Sequence, residues 1–262
     1  MTIQEMLNEQ GFLAVALPNP DIAPLQILEK SRGDLSRRND NIIALFESSQ
    51  VGPPPIKKDA PTPNLTGTLT LKTDFNSSIG FLEGLKNLIG VNLAVKYQYN
   101  NDDALVFSFE NPQLDQITSF VELDRFINTS KVIDGSFGEA LKDSDIYIIT
   151  AVLKSNKFSV GIVDTSKHGG NLDLPNIKGL IDSDLTLDRN KNEKRGMEYA
   201  GATPLVFGVQ AVQLLYDKPA LAWLTGKKGV FRIKESVGMI VRKSEKVKVT
   251  TLTTPDNMLR LE

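Results

Sequence analysis

Residues Asn92 to Glu110, NLAVKYQYNNDDALVFSFE, alternate apolar and polar side chains on both sides of a polar turn. Strand side chains point to opposite faces with a period of two. Leu93, Val95, Tyr97 and Tyr99 therefore share one face of a first arm, and Leu105, Phe107 and Phe109 share one face of a second. Lys96, Gln98, Ser108 and Glu110 take the other face. Asn100 to Asp103 are residue types that tolerate the left-handed backbone of a turn. The stretch reads as an amphipathic β-hairpin, whose apolar face must lie on a core or on some other apolar surface.

The same pattern recurs. Ile146 to Leu153 is a nearly continuous apolar run, KSNK follows, and Phe158, Val160 and Ile162 then alternate with Ser159 and Gly161. This predicts a second hairpin with a basic tip, Ile146, Ile148 and Val152 lying on its first arm. Further strands are expected at Phe12 to Leu17, Leu65 to Thr73, around Leu185 and Leu187, at Leu205 to Tyr216 and in GVFRIKES. SRGDLSRRNDN and DRNKNEKRG read as polar loops. Residues 51–63 hold five prolines and read as an extended connector.

Helical signals are fewer. Thr2 and Glu5 have capping-box spacing ahead of a stop at Gly11. Ser78 can cap a helix whose apolar residues, from Ile79 to Ile89, recur at three- and four-residue spacing. Leu114 to Ile127 and a short piece around Phe137 to Leu141 complete the set. Helices interspersed without βαβ alternation imply an α+β fold: a twisted, mostly antiparallel β-sheet core with several short surrounding helices.

Chemistry is excluded more readily than assigned. His168 is the one histidine, so no two-histidine metal site can form, and with no cysteine there is no disulfide, thiolate ligand or thiol nucleophile. No G-x-S-x-G elbow occurs, and TGKKGVF lacks the flanking residues of a phosphate-binding loop. Asp188, Asn190 and Asn192 begin like a calcium loop, but Glu193 and Tyr199 stand where it needs glycine and glutamate. Asp182 and Asp184 read as surface residues of a strand. The expectation is a protein that is not an enzyme and carries no cofactor or metal.

A formal charge of −2 and a pI near 5.6 do not suggest a nucleic-acid partner. The charge is uneven, because Lys227 to Lys248 hold eight basic residues against Glu235 and Glu245. No secretory signal opens the chain and nowhere do eighteen apolar residues run together, so the expected location is the cytoplasm. From Ser244 the tail runs SEKVKVTTLTTPDNMLRLE. Val247 and Val249 could add a strand to the body, and Met258, Leu259 and Leu261 could anchor the tip.

GFLAVALPNPDIAPLQIL (Gly11 to Leu28), PLVFGVQAVQLLYD (Pro204 to Asp217), a length near 260 and a short tail together resemble the bacterial gasdermins. The resemblance implies a pore-forming body over residues 1–243, held inactive by an autoinhibitory tail over residues 244–262. It implies a protease partner that removes the tail, oligomerisation of a previously monomeric protein, insertion of β-hairpins into the inner membrane, and cell death as a defence against phage. Arg242, Lys243, Lys246 and Lys248 would offer bonds to a trypsin-like protease, while Leu252 and Asp256 suit other specificities, a caspase-like one among them. The family also commonly carries a palmitoylated cysteine near the N-terminus; this chain has no cysteine to accept it. A β-rich subunit of a phage particle or secretion apparatus is the alternative, since it too would lack catalytic residues and carry apolar strands.

Overall fold

The computed structural model describes residues 7–31, 34–47, 51–70, 103–132, 145–164, 196–217 and 230–234. One helical turn at 7–9 packs a fully buried Leu7 onto the body and stops where expected, at Gly11, whose φ of 80° lies in the left-handed region. The remaining elements are β1 (Leu13–Asn19), β2 (Gln26–Ser31), β3 (Asp34–Asn41), α1 (Ile42–Leu45), β4 (Phe46–Glu47), β5 (Ile56–Pro61), β6 (Leu65–Thr70), β7 (Asp103–Glu110), β8 (Gln113–Ile117), α2 (Phe120–Thr129), β9 (Lys131–Val132), β10 (Asp145–Asp164), β11 (Gly196–Asp217) and β12 (Val230–Lys234). All but β4 and β9 join one ten-stranded sheet, and each pairing in it is antiparallel.

Two long strands organise that sheet. β10 runs for 20 residues and β11 for 22, paired from Ile146↔Leu214 to Gly161↔Gly196. The other edge of β10 carries three strands end to end: β2 against 145–148, β8 against 151–154 and β7 against 157–164. In its first half both faces are covered. Ile146 and Ile148 enter a core with Ile27, Phe46, Ile117, Phe126 and Val212, while Tyr147 and Ile149 enter another with Val15, Leu28, Val206 and Val209. That explains the continuous apolar run, since a strand buried on both faces has no need to alternate. Ala151 pairs with Gln210 immediately after Ile149 pairs with Ala211, so Thr150 is the extra residue of a bulge. Val152 therefore returns to the face of Ile149.

Several expectations need correction. KSNK is no turn, because β10 passes through it unbroken. SRGDLSRRNDN holds a strand, β3, paired with β2 from Gln26↔Asn41 to Ser31↔Asp34, and the Arg38 Nη1 to Glu29 Oε2 ion pair of 2.9 Å ties the two. The proline-rich connector contains β5, and the first part of the helix expected at Leu114 to Ile127 is β8, bonded to β5 and β10. The second part is helical: Ser119 caps α2, its Oγ accepting from the Glu122 N–H at 3.2 Å. The helices expected at Ser78 to Ile89 and Phe137 to Leu141, the strand at Leu185 and Leu187, His168, Asp182, Asp184 and all of DRNKNEKRG but Gly196, which opens β11, lie outside the described residues. Among the described residues no helix is long and apolar enough to cross a membrane.

Candidate functional site

β6, β7, the second half of β10 and the first residues of β11 lie side by side in that order. Their register builds rows. Leu65, Phe109, Phe158 and Tyr199 form one, and Gly67, Phe107 and Val160 the next on the same face. Thr66, Ser108 and Ser159 form the row between them, on the opposite face. The result is an amphipathic four-stranded sheet.

Aromatic rings fill its apolar face. Phe109 stacks on Phe207 with centroids 3.9 Å apart, lies 5.5 Å from Phe158 and 5.7 Å from Phe107, and Phe158 stacks on Tyr199 at 5.0 Å. Phe107 occupies the space that a side chain at Gly67 would need. Phe107, Phe109, Phe158 and Val160 are all buried, and so are Ser108 and Ser159 on the polar face. Both faces of this sheet are thus covered in the structure described here.

The sequence-predicted residues divide accordingly. Phe107, Phe109, Phe158 and Val160 come together on this sheet, and Leu105 and Ile162 are register partners within it. Ile146, Ile148 and Val152 do not join them; they sit in the body, on the half of β10 that pairs with β2 and β8. The hairpin read at Asn92 to Glu110 also needs correction. Over Ala104 to Phe109, β7 has β6 on one edge and β10 on the other, so no edge remains there for Leu93 to Tyr99. Leu93, Val95, Tyr97 and Tyr99 themselves lie outside the described residues. So do the cleavage candidates Arg242, Lys243, Lys246, Lys248, Leu252 and Asp256 and the tail residues Val247, Val249, Met258, Leu259 and Leu261. Phe207 was missed as a partner of Phe109: Gly208 pairs with Leu153 and Val206 with Lys154, so Phe207 is the extra residue of a bulge and alternation along the strand does not place it.

Just below this sheet is an ion cluster with no local signature. Lys154 Nζ lies 2.7 Å from Asp59 Oδ1 and 2.7 Å from Asp115 Oδ2. The Asp59 N–H donates to Asp115 Oδ1 at 2.8 Å, an alignment reached with Asp59 in the left-handed region at φ 56°. Hydrogen bonding and charge from Lys154 hold the Asp59 carboxyl below its usual value. Burial alone would lower the Lys154 pKa, but its bonds to Asp115 and Asp59 outweigh this and raise it. Three residues further along β10, Lys157 Nζ meets Glu110 Oε2 at 2.8 Å.

Among the described residues no group of His, Cys, Asp or Glu could hold a metal ion. The site offers strands, arranged so that both chain connections of the four-stranded sheet leave at one end: residues 71–102 join β6 to β7, and 165–195 join β10 to β11.

A sequence model of the Bacterial Gasdermin Family matches residues 15–229. The chain is 35% identical over 247 residues to Gasdermin bGSDM of Gillisia limnaea, spanning 92% of this chain and 91% of that one. It is 31% identical over 267 residues to a Gasdermin bGSDM from an unknown prokaryotic organism, spanning 99% and 98%. Its fold is similar to the solved structure of a bacterial gasdermin from Bradyrhizobium tropiciagri, with a TM-score of 0.50, 14% identity and coverage of 98% and 94%. On these likenesses the chain belongs to the bacterial gasdermin family.

Proposed function

We propose that this protein is an autoinhibited pore-former: removal of its C-terminal tail lets the body oligomerise and insert two β-hairpins per subunit into a membrane. The observation that carries this reading is the common exit of residues 71–102 and 165–195 from one end of four adjacent antiparallel strands. Each connection is about thirty residues long, enough for two arms of about thirteen with a turn, where a spanning strand needs about nine to eleven. Extended in place, 71–102 would lengthen β6 and β7, and 165–195 would lengthen β10 and β11. The alternation of Leu93, Val95, Tyr97 and Tyr99 then continues the sheet toward lipid on one face and water on the other.

Oligomerisation follows from the edges. Backbone groups in hydrocarbon must all be paired, so a four-stranded sheet cannot stay inserted alone. Among the described residues, β6 pairs only with β7, and Gly196 to Ala200 of β11 pair only with β10. β6 runs toward the exit end and β11 away from it, so β6 of one copy beside β11 of the next gives another antiparallel pairing. Repetition of that head-to-tail contact closes a ring.

Autoinhibition belongs to residues 244–262. A tethered tail competes with lipid and with neighbouring subunits at an effective concentration on the order of millimolar, and leaves once cut. The protein is then cytoplasmic until a protease, trypsin-like at Arg242 to Lys248 or caspase-like at Asp256, releases the body to the inner membrane. Opening that membrane kills the cell, an outcome that serves defence against phage. Dye-loaded liposomes test the reading: release is expected from protein cut between Arg242 and Asp256 and not from the full chain. A cut body that stays folded and leaves the dye inside would refute it.

A further inference from the structure

The four-stranded sheet is marked off from the body by an interruption of the ladder at every one of its strands, an end in β6 and β7 and a register slip between the continuous β10 and β11. β5 gives way to β6 at residues 62–64 and β7 to β8 at Asn111 and Pro112. β10 slips register between Ser155 and Lys157, where its partners on β11 jump from Leu205 to Ala200. The breaks share one level, for Lys157 stands opposite both Glu110 and Ala200, Lys154 and Pro61 both stand opposite Gln113, and Leu65 stands opposite Phe109.

Side chains and turns stitch the gap where ladder bonds lapse. Asn111 has a left-handed φ of 47°, and its N–H donates to Asn64 Oδ1 at 2.8 Å. The Thr62 N–H and Oγ1 both donate to the Pro112 carbonyl at 3.0 Å. Ser155 Oγ lies 2.9 Å from the Glu110 carbonyl and 2.8 Å from that of Lys157, and accepts from the Lys157 N–H at 3.1 Å. Tyr199 Oη donates to the Thr203 carbonyl at 2.6 Å. Immediately on the body side, Lys154 ties β10 to β5 and β8 through Asp59 and Asp115. Across the line, Phe207 of the body-side half of β11 stacks on Phe109 of the outer sheet.

We infer that this line of breaks is a hinge: the outer sheet turns about it as one body, the Lys154 cluster keeps the body side closed, and the Phe109–Phe207 stack is the contact released. A sheet bends with least loss where its ladder is already interrupted, and here the interruption runs through all four strands. The inference rests on the pore-forming reading for its purpose, but its geometry can be tested separately.

Because the chain lacks cysteine, pairs of introduced cysteines can carry spin labels without background. Asp124→Cys with Lys57→Cys measures the body, Thr66→Cys with Ala200→Cys the outer sheet, and Asp124→Cys with Ala200→Cys the distance across the line. When the tail-cut protein binds vesicles of bacterial lipid, the cross-line distance should shift by about 10 Å while the other two hold within about 2 Å. A fixed cross-line distance, or a body pair that moves as far, overturns the hinge. Dye release in the same samples reports on the pore itself, so leaking vesicles with a fixed cross-line distance would remove the hinge and leave the pore. In the full chain, Lys154→Met should broaden the cross-line distribution and Lys154→Arg should restore its width. Should Lys154→Met not fold, Asp115→Asn is the milder variant, and an unchanged width there removes the cluster from the mechanism.

Discussion

At the level of single residues, the strongest constraint outside the apolar cores is the Lys154 cluster. Lys154 and Asp115 are 13% and 12% exposed at the side chain, so deleting one charge leaves the other poorly solvated. Lys154→Met should therefore destabilise the full chain by about 3 kcal/mol. By calorimetry this corresponds to a melting temperature lower by on the order of 5–10 °C. The pH dependence has a definite sign. Asp59 has a lowered pKa, so its contribution is present above the ordinary carboxylate value of 3.8 and is lost as pH falls through the lowered one. Lys154 has a raised pKa, so its contribution is complete below 10.5 and is lost as pH rises beyond that. Denaturation midpoints followed across pH should thus fall at both extremes, and Lys154→Met should flatten both limbs. Gly67 makes a different demand: with Phe107 filling its side-chain space, Gly67→Ala should cost about 2 kcal/mol from overpacking, measured by urea unfolding.

At the level of elements, β10 is where local sequence and tertiary structure part company. Ser155→Ala should cost about 1 kcal/mol by the same unfolding measurement, because the Lys157 N–H loses its side-chain acceptor at a partly buried bulge. Ser119→Ala, which removes only the cap of α2, should cost about 1 kcal/mol. The strands β1, β6, β7 and β12 and residues 205–216 of β11 were legible because their side chains alternate or cluster in short apolar runs, whereas residues 196–204 of β11 were not read as strand. KSNK was not, since four polar residues look like a turn until Asp59, Asp115 and Glu110, distant in sequence, supply their partners. β8 carries Leu114 and Ile117 at helical spacing, and only its pairing with β5 and β10 decides for a strand. β3 presents a mostly polar sequence, DLSRRNDN, yet pairs along β2. Of the candidate site, the apolar face of Phe107, Phe109, Phe158 and Val160 could be read from alternation, but the assignment of arms to hairpins could not. Strand order is set by non-local pairing, which periodicity does not encode.

At the level of the whole molecule, one sheet serves as core for the body and, in the proposed pore, as the root of a barrel. The lengths make a prediction. Removing twelve residues from 71–102, six from each arm, leaves arms of about seven, short of the roughly nine to eleven that a spanning strand needs, and should abolish dye release by the tail-cut protein while vesicle binding persists. The central claim is that this connection becomes membrane-spanning strand. The most direct measurement places a single cysteine at each position from Asn92 to Tyr99, attaches a polarity-sensitive fluorophore, and records emission from the tail-cut protein on vesicles. Alternating apolar and aqueous emission, with Leu93, Val95, Tyr97 and Tyr99 in lipid and Ala94, Lys96 and Gln98 in water, is the predicted result. A helical period of 3.6, or uniformly aqueous emission from vesicles that nonetheless leak, would contradict it.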